Sequence, residues 1–172
     1  MDEETDGRNS IRFELSRIEE SCTYSAQGQF EAAKMWRKAN LFLGSAAAVL
    51  SAVAGSTVLA SDGFRLVVGA LALGAAFIGA VVTTVNPSHR ETQATEAAKS
   101  YQVIQATARQ AREIDLTHAT YAEARAELAH LTDRWQAANQ AAPPIPKRAY
   151  ERARRNIDAG GQSFAIDEGN ST

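Results

Sequence analysis

Five basic residues crowd into one short stretch near the end of the chain: Lys147, Arg148, Arg152, Arg154 and Arg155. Between them, Ala149, Tyr150, Ala153 and Ile157 recur at helical spacing, so the stretch reads as a helix with one narrow apolar face and a basic remainder. Such a surface suits anionic lipid headgroups or a phosphorylated ligand. The plainer alternative is a solvated helix docked by its apolar face. Other chemistry is sparse. The 3 histidines, His89, His118 and His130, lack the spacing of a metal-binding helix motif, and His118 and His130 lie more than three helical turns apart. Exposed histidines are expected, with no metal and no cofactor. The 1 cysteine, Cys22, permits no internal disulfide and reads as a small buried hydrophobe. No phosphate loop, nucleophile elbow or nucleophile–base pair appears, so no catalytic residue is assigned and the chain is not expected to be an enzyme. A formal net charge of −2 gives no basis for nucleic-acid binding.

Two segments must position whatever this chain does. Residues 39–61 and 66–88 contain no acidic or basic side chain. At about 1.5 Å per residue each is long enough to cross a hydrocarbon core of about 30 Å. An ordinary soluble helix shows a polar face, and too little chain flanks these two to wrap them. The reading is therefore an all-α integral membrane protein. Its first transmembrane helix covers 40–61 and its second 66–86, with an external turn at 62–65 that includes Gly63. So short a connector makes the two spans an antiparallel hairpin. Lys34, Arg37 and Lys38 precede the first span and Arg90 and Lys99 follow the second, whereas the turn carries only Arg65. Basic flanks stay in the cytoplasm, which assigns both termini there and the protein to the cell inner membrane as a multi-pass chain. The opening MDEETDGRNS lacks a basic, then apolar, signal peptide, so an uncleaved internal segment is the expected membrane signal.

Small residues form a stripe on each span: Gly44, Ala48, Ser51 and Gly55 on the first, and Gly69, Ala72, Ala76, Gly79 and Thr83 on the second. Small faces let helices approach closely in lipid. Either the stripes hold the hairpin together, or they line a self-associated pore wetted by Ser and Thr hydroxyls. Leu71, Ile78 and Val82 fall off the stripe and suit lipid. The lack of an ionisable group inside either span argues against a proton relay, a voltage sensor or an ion-coupled transporter.

The flanks read as cytoplasmic helices of amphipathic, coiled-coil-like character. An acidic disordered start, 1–8, leads into a helix over 9–39 capped by Asn9 or Ser10, with Ile11, Leu15, Ile18 and Cys22 on one face and Gly28 as a weak point. Residues 88–141 carry two apolar ladders, Ala97–Tyr101–Ile104–Ala108–Ala111 and Tyr121–Ala124–Leu128–Leu131–Trp135–Ala138. They fall out of phase across 115–120. A break with Asp115 or Thr117 as the new cap is the first reading, and a continuous helix with a stammer the second. Ser88 with Glu91, and Thr120 with Glu123, have capping-box spacing. A proline elbow and the basic helix fill 142–158, and a disordered tail 159–172.

This order of parts, with its Pro144-Ile145-Pro146-Lys147-Arg148-Ala149-Tyr150-Glu151-Arg152-Ala153 stretch, resembles the SLATT family, the SMODS- and SLOG-associating two-transmembrane effector domains. The resemblance covers about residues 10–160. It implies a bacterial conflict-system effector that oligomerises and permeabilises the inner membrane in antiviral defence, beside a nucleotide-generating or nucleotide-sensing partner protein. It transfers no active-site residue. From the residues alone, the expected partners are the lipid bilayer and further copies of the chain. The rival function is a constitutive two-span scaffold that recruits a cytoplasmic partner.

Overall fold

The computed structural model describes residues 2–57 and 65–162. Positions 62–64 of the expected turn and the tail beyond residue 162 lie outside the described residues. Every described element is helical: α1 Asp2–Thr57, α2 Arg65–Val85, α3 Pro87–Gln110, a π-helical segment Ala111–Asp115, α4 Leu116–His118, α5 Tyr121–Ala141 and α6 Lys147–Asp158. Two of these helices have a stretch long and apolar enough to cross a membrane. The chain divides into two compact units, Met1–Ala32 with Gln93–Thr172, and Ala33–Thr92.

The first unit is a helical bundle with a closed core. Ile11, Leu15, Ile18, Cys22 and Ala26 of α1 meet Tyr101, Ile104, Ala108 and Ala111 of α3 and its extension, and Ala124, Leu128 and Leu131 of α5. The expected ladders therefore face one another within one chain. Their outer members differ: Ala97 is only half-buried, and Tyr121 is 42% exposed. Tyr121 instead covers Gly7, where an added Cβ would come within 2.7 Å of its ring. Residues 2–8, expected to be disordered, are the first turns of α1, so Asn9 and Ser10 lie inside the helix and cap nothing. Arg8 holds this end in place. Its guanidinium donates to the carbonyls of Leu116 (3.1 Å) and Ala119 (2.8 Å), where a helix end leaves carbonyls without partners.

The phase slip in 88–141 has a specific form. Core positions step by three or four along α3 to Ala111, then by five to Leu116. A π turn, bonding i to i+5, absorbs that extra residue while keeping both side chains on the core. The true break follows at Ala119, which is extended. Thr120, not Asp115 or Thr117, caps α5. Its hydroxyl accepts from the Glu123 N–H, and the Glu123 carboxylate accepts from the Thr120 N–H at 2.8 Å. That reciprocal pair outcompetes Asp115 and Thr117, which remain inside helical turns.

After α5, prolines 143, 144 and 146 hold an extended elbow and α6 restarts behind Pro146. The elbow is pinned to α1. Gln29 donates to the Pro143 carbonyl at 2.6 Å, and Ile145 packs so close to Gly28 that an added Cβ would meet it at 2.8 Å. Gly28, expected as a weak point, is the site of a close approach. Ala149 and Ala153 turn inward at 0% and 1% exposure, Ile157 is half-buried, and Tyr150 faces outward, contrary to its expected place on the apolar face. Gly160, at φ 83°, ends the helix in the left-handed conformation that glycine tolerates.

In the second unit, the covered positions include Leu43, Ala46, Ala47, Leu50 and Ala54 on α1 and Val68, Leu71, Ala75, Ile78, Val82 and Val85 on α2, with Gly74, Gly79 and Val81 also half-buried. The α2 set alternates steps of three and four, and the α1 set recurs about once per turn, so each lies on one helical face. The two faces meet around Leu50 and Gly74, where an added Cβ would sit 3.7 Å from Leu50 Cδ1. Leu71, Ile78 and Val82, expected to face outward, are half-buried. In the most apolar 18-residue stretch of each helix, 6% and 0% of the residues are buried, so neither is sheathed by protein. Asn86 joins α2 to α3 at φ 46°, a left-handed conformation that asparagine adopts more readily than most residues. Pro87 takes the first helical position, where no N–H is needed, and Asn86 Oδ1 accepts from the His89 N–H at 3.2 Å. Asn86, not Ser88, is therefore the cap.

Candidate functional site

Three surfaces carry groups left over after folding. The first is the outward side of the apolar helices. Gly44, Ala48, Ser51, Gly55, Gly69, Ala72, Ala76 and Thr83 are exposed, and Gly79 is half-buried. Cβ atoms added at Gly44, Gly55, Gly69 or Gly79 would meet nothing within 4 Å. The small stripes do not hold these two helices together. The Thr83 and Thr84 hydroxyls donate to the carbonyls of Gly79 and Ala80, both at 2.9 Å, leaving their oxygens free to accept. At the charged end of this unit, Arg90 stacks over the Trp36 ring with Cζ 5.0 Å from its centroid. The same guanidinium donates to the Val85 carbonyl at 3.0 Å, closing the end of α2.

The second surface is α6. Lys147, Arg148, Arg152, Arg154 and Arg155 are all exposed. Lys147 lies 4.0 Å from Glu151, and Arg154 3.7 Å from Asp158. After the helix, Gln162 donates to Gln27 Oε1 at 3.1 Å, so α6 is tied to α1 at both ends.

The third is a cleft of about 510 Å³ in the bundle, beside the π segment, which sequence reading missed. Its polar wall comes from Glu19 and Thr23 of α1 and Gln102, Gln105, Arg109 and Arg112 of the α3 run. Arg112 donates through Nε (3.1 Å) and Nη2 (2.9 Å) to Glu19 Oε2, and its Nη1 lies 2.5 Å from Glu113. Two carboxylates and two guanidiniums balance, leaving an amide-rich cleft without net charge. The steps among Gln102, Gln105, Arg109 and Arg112 do show one polar helical face, but a polar face alone is the common signature of solvent exposure.

Burial shifts two further groups, Cys22 and Tyr101. Cys22 is fully buried, and burial pushes its thiol up to about 12. Tyr101 is raised by burial first and by the neighbouring Cys22 second, and its hydroxyl donates to Asn139 Oδ1 at 2.8 Å. All 3 histidines are exposed. Among the described residues no group of His, Cys, Asp or Glu converges as a metal site. The chain matches no protein-family model, no curated protein and no solved structure.

Proposed function

We infer that this chain is a membrane effector: an antiparallel two-span hairpin that self-associates in the bilayer and permeabilises it, under the control of its helical bundle. The observation that carries this reading is the outward face of the apolar helices. Leu50 lies against Gly74, while Gly44, Ala48, Ser51 and Gly55 on α1 and Gly69, Ala72 and Ala76 on α2 remain open. In lipid such stripes favour close association of further helices. The Arg90–Trp36 stack supports the hairpin, because it brings the residue before the first span to the residue after the second. Indole and guanidinium both favour the membrane interface, and the basic flanks assign that end to the cytoplasm. Two helices cannot enclose a water path, so conduction requires several subunits, most simply a closed ring. With no fixed charge along the spans, the path is poorly selective and gated by helix rearrangement. The amide-rich cleft is the candidate receiver of the cytoplasmic signal. The resemblance to SLATT effectors supports the same reading and points to a nucleotide-linked trigger.

Replacing Gly69 or Gly79 with leucine is expected to change the crosslinked oligomer ladder and the membrane depolarisation of expressing cells. Exchanging Leu71 or Ile78 for each other's side chain should leave both nearly unchanged. A chain that stays monomeric in the bilayer, with the membrane polarised under its native trigger, overturns the effector reading in favour of a constitutive scaffold. Reporter fusions at Gly63 and after Thr172 should report opposite sides of the membrane, and the same side for both would sink the hairpin.

A further inference from the structure

Arg148, Arg152 and Arg155 stand apart from the other cations of α6. They follow steps of four and three and so line one face over about 10 Å of helix. All three are exposed, and none has an ion-pair partner among the described residues, whereas Lys147 and Arg154 face Glu151 and Asp158. This face cannot roll inward. Ala149 and Ala153 are already buried, and the Gln29–Pro143, Gly28–Ile145 and Gln27–Gln162 contacts fix both ends of the segment on α1. The unpaired groups are all guanidiniums, which fork onto phosphate oxygens and shed water more readily than an ammonium.

We propose that the Arg148–Arg152–Arg155 face binds the phosphate headgroups of anionic phospholipids, resting on the membrane reading above. Charge complementarity selects an anionic partner. Sequence order selects lipid over an acidic protein: the attachment points at residues 27–29 are followed ten residues later by the uncharged stretch that opens at Ala39. Each such arginine adds roughly fivefold to the preference for an anionic surface, so the three together contribute about a hundredfold.

The test uses the full chain in nanodiscs of phosphatidylcholine alone or with about 30% phosphatidylglycerol, an anionic content sufficient for such contacts. A guanidine-specific dicarbonyl reagent reads each arginine by mass spectrometry, with Arg154 as internal control. Modification of Arg148, Arg152 and Arg155 should slow about tenfold or more in the anionic discs while Arg154 keeps its rate, and about 0.5 M salt should abolish the difference. The triple change R148Q/R152Q/R155Q should keep the helical circular dichroism but lose the preference of the chain for phosphatidylglycerol in lipid-exchange assays. Equal modification rates in the two discs overturn the proposal. Protection in neutral discs by inorganic phosphate alone assigns the face to a soluble phosphate, and protection by polyglutamate alone to an acidic protein; either overturns it. If neither disc retains the chain against alkaline carbonate, the membrane reading itself fails, and this proposal with it.

Discussion

In the bundle, Ala98, Ala108, Ala149 and Ala153 are 0–1% exposed, and they set how closely the helices approach. In the apolar pair, Ala48, Ala72 and Ala76 are exposed, whereas Leu43, Leu50, Leu71 and Ile78 are half-buried. Alanine also lines the covered side of the apolar pair, at Ala46, Ala47 and Ala54, so residue type alone does not mark its faces. Water accounts for the first arrangement, since apolar surface of any size gains by leaving it. It does not account for the second. Where both faces of a helix are apolar, burial no longer sorts side chains, and fit between side chains decides which face is turned inward.

The largest test of this contrast pairs two leucines. Leu131, at 0% exposure in the bundle, should cost about 2–5 kcal/mol as Leu131→Ala. Leu73, 74% exposed on α2, should cost under about 0.5 kcal/mol as Leu73→Ala. Thermal melts followed by circular dichroism in detergent would read both, and equal losses would erase the distinction between the units. A smaller effect compares two glycines. Gly28→Val must displace Ile145 and should cost about 1–3 kcal/mol while exposing the elbow at 143–146 to protease. Gly44→Val meets nothing and should leave the melt unchanged. The smallest effect belongs to the α5 cap. Hydrogen bonds from Thr120 hold the Glu123 carboxyl below the usual range. Its contribution is complete above the unfolded carboxyl value of about 4.3 and fades as pH falls through the lower folded value. Glu123→Gln should remove that acid-side fading from the melting temperature.

How much of this was legible in the sequence follows from the same contrast. The ladders of Tyr101, Ile104, Ala108 and Ala111 and of Ala124, Leu128 and Leu131 could be read, because polar residues mark the opposite face of each helix. The limits of the apolar stretches could also be read, from the absence of charge. Which side of those stretches faces a neighbour could not: the stripes could equally hold the hairpin together or line a pore, and Leu71 and Ile78, expected to face lipid, are half-buried. The out-of-phase ladders betrayed an irregularity but not its kind, since Asp115, Thr117 and Thr120 are all competent caps and only Thr120 finds a reciprocal partner. The cleft was invisible because its walls come from α1 and α3, distant in sequence and each merely polar when read alone.

The π segment at Ala111–Asp115 has a consequence for how this chain tolerates changes in length. Elsewhere in α3, removing one residue turns everything after it by about 100° and carries the core row out of the core. Here the step from Ala111 to Leu116 is five, and shortening it by one restores an ordinary α-helical step of four with both ends still facing inward. The bundle therefore contains one place where a codon can be lost or regained without disturbing its core. Arg112 and Glu113, which sit within that spare length at the edge of the cleft, are the side chains such an event would re-aim.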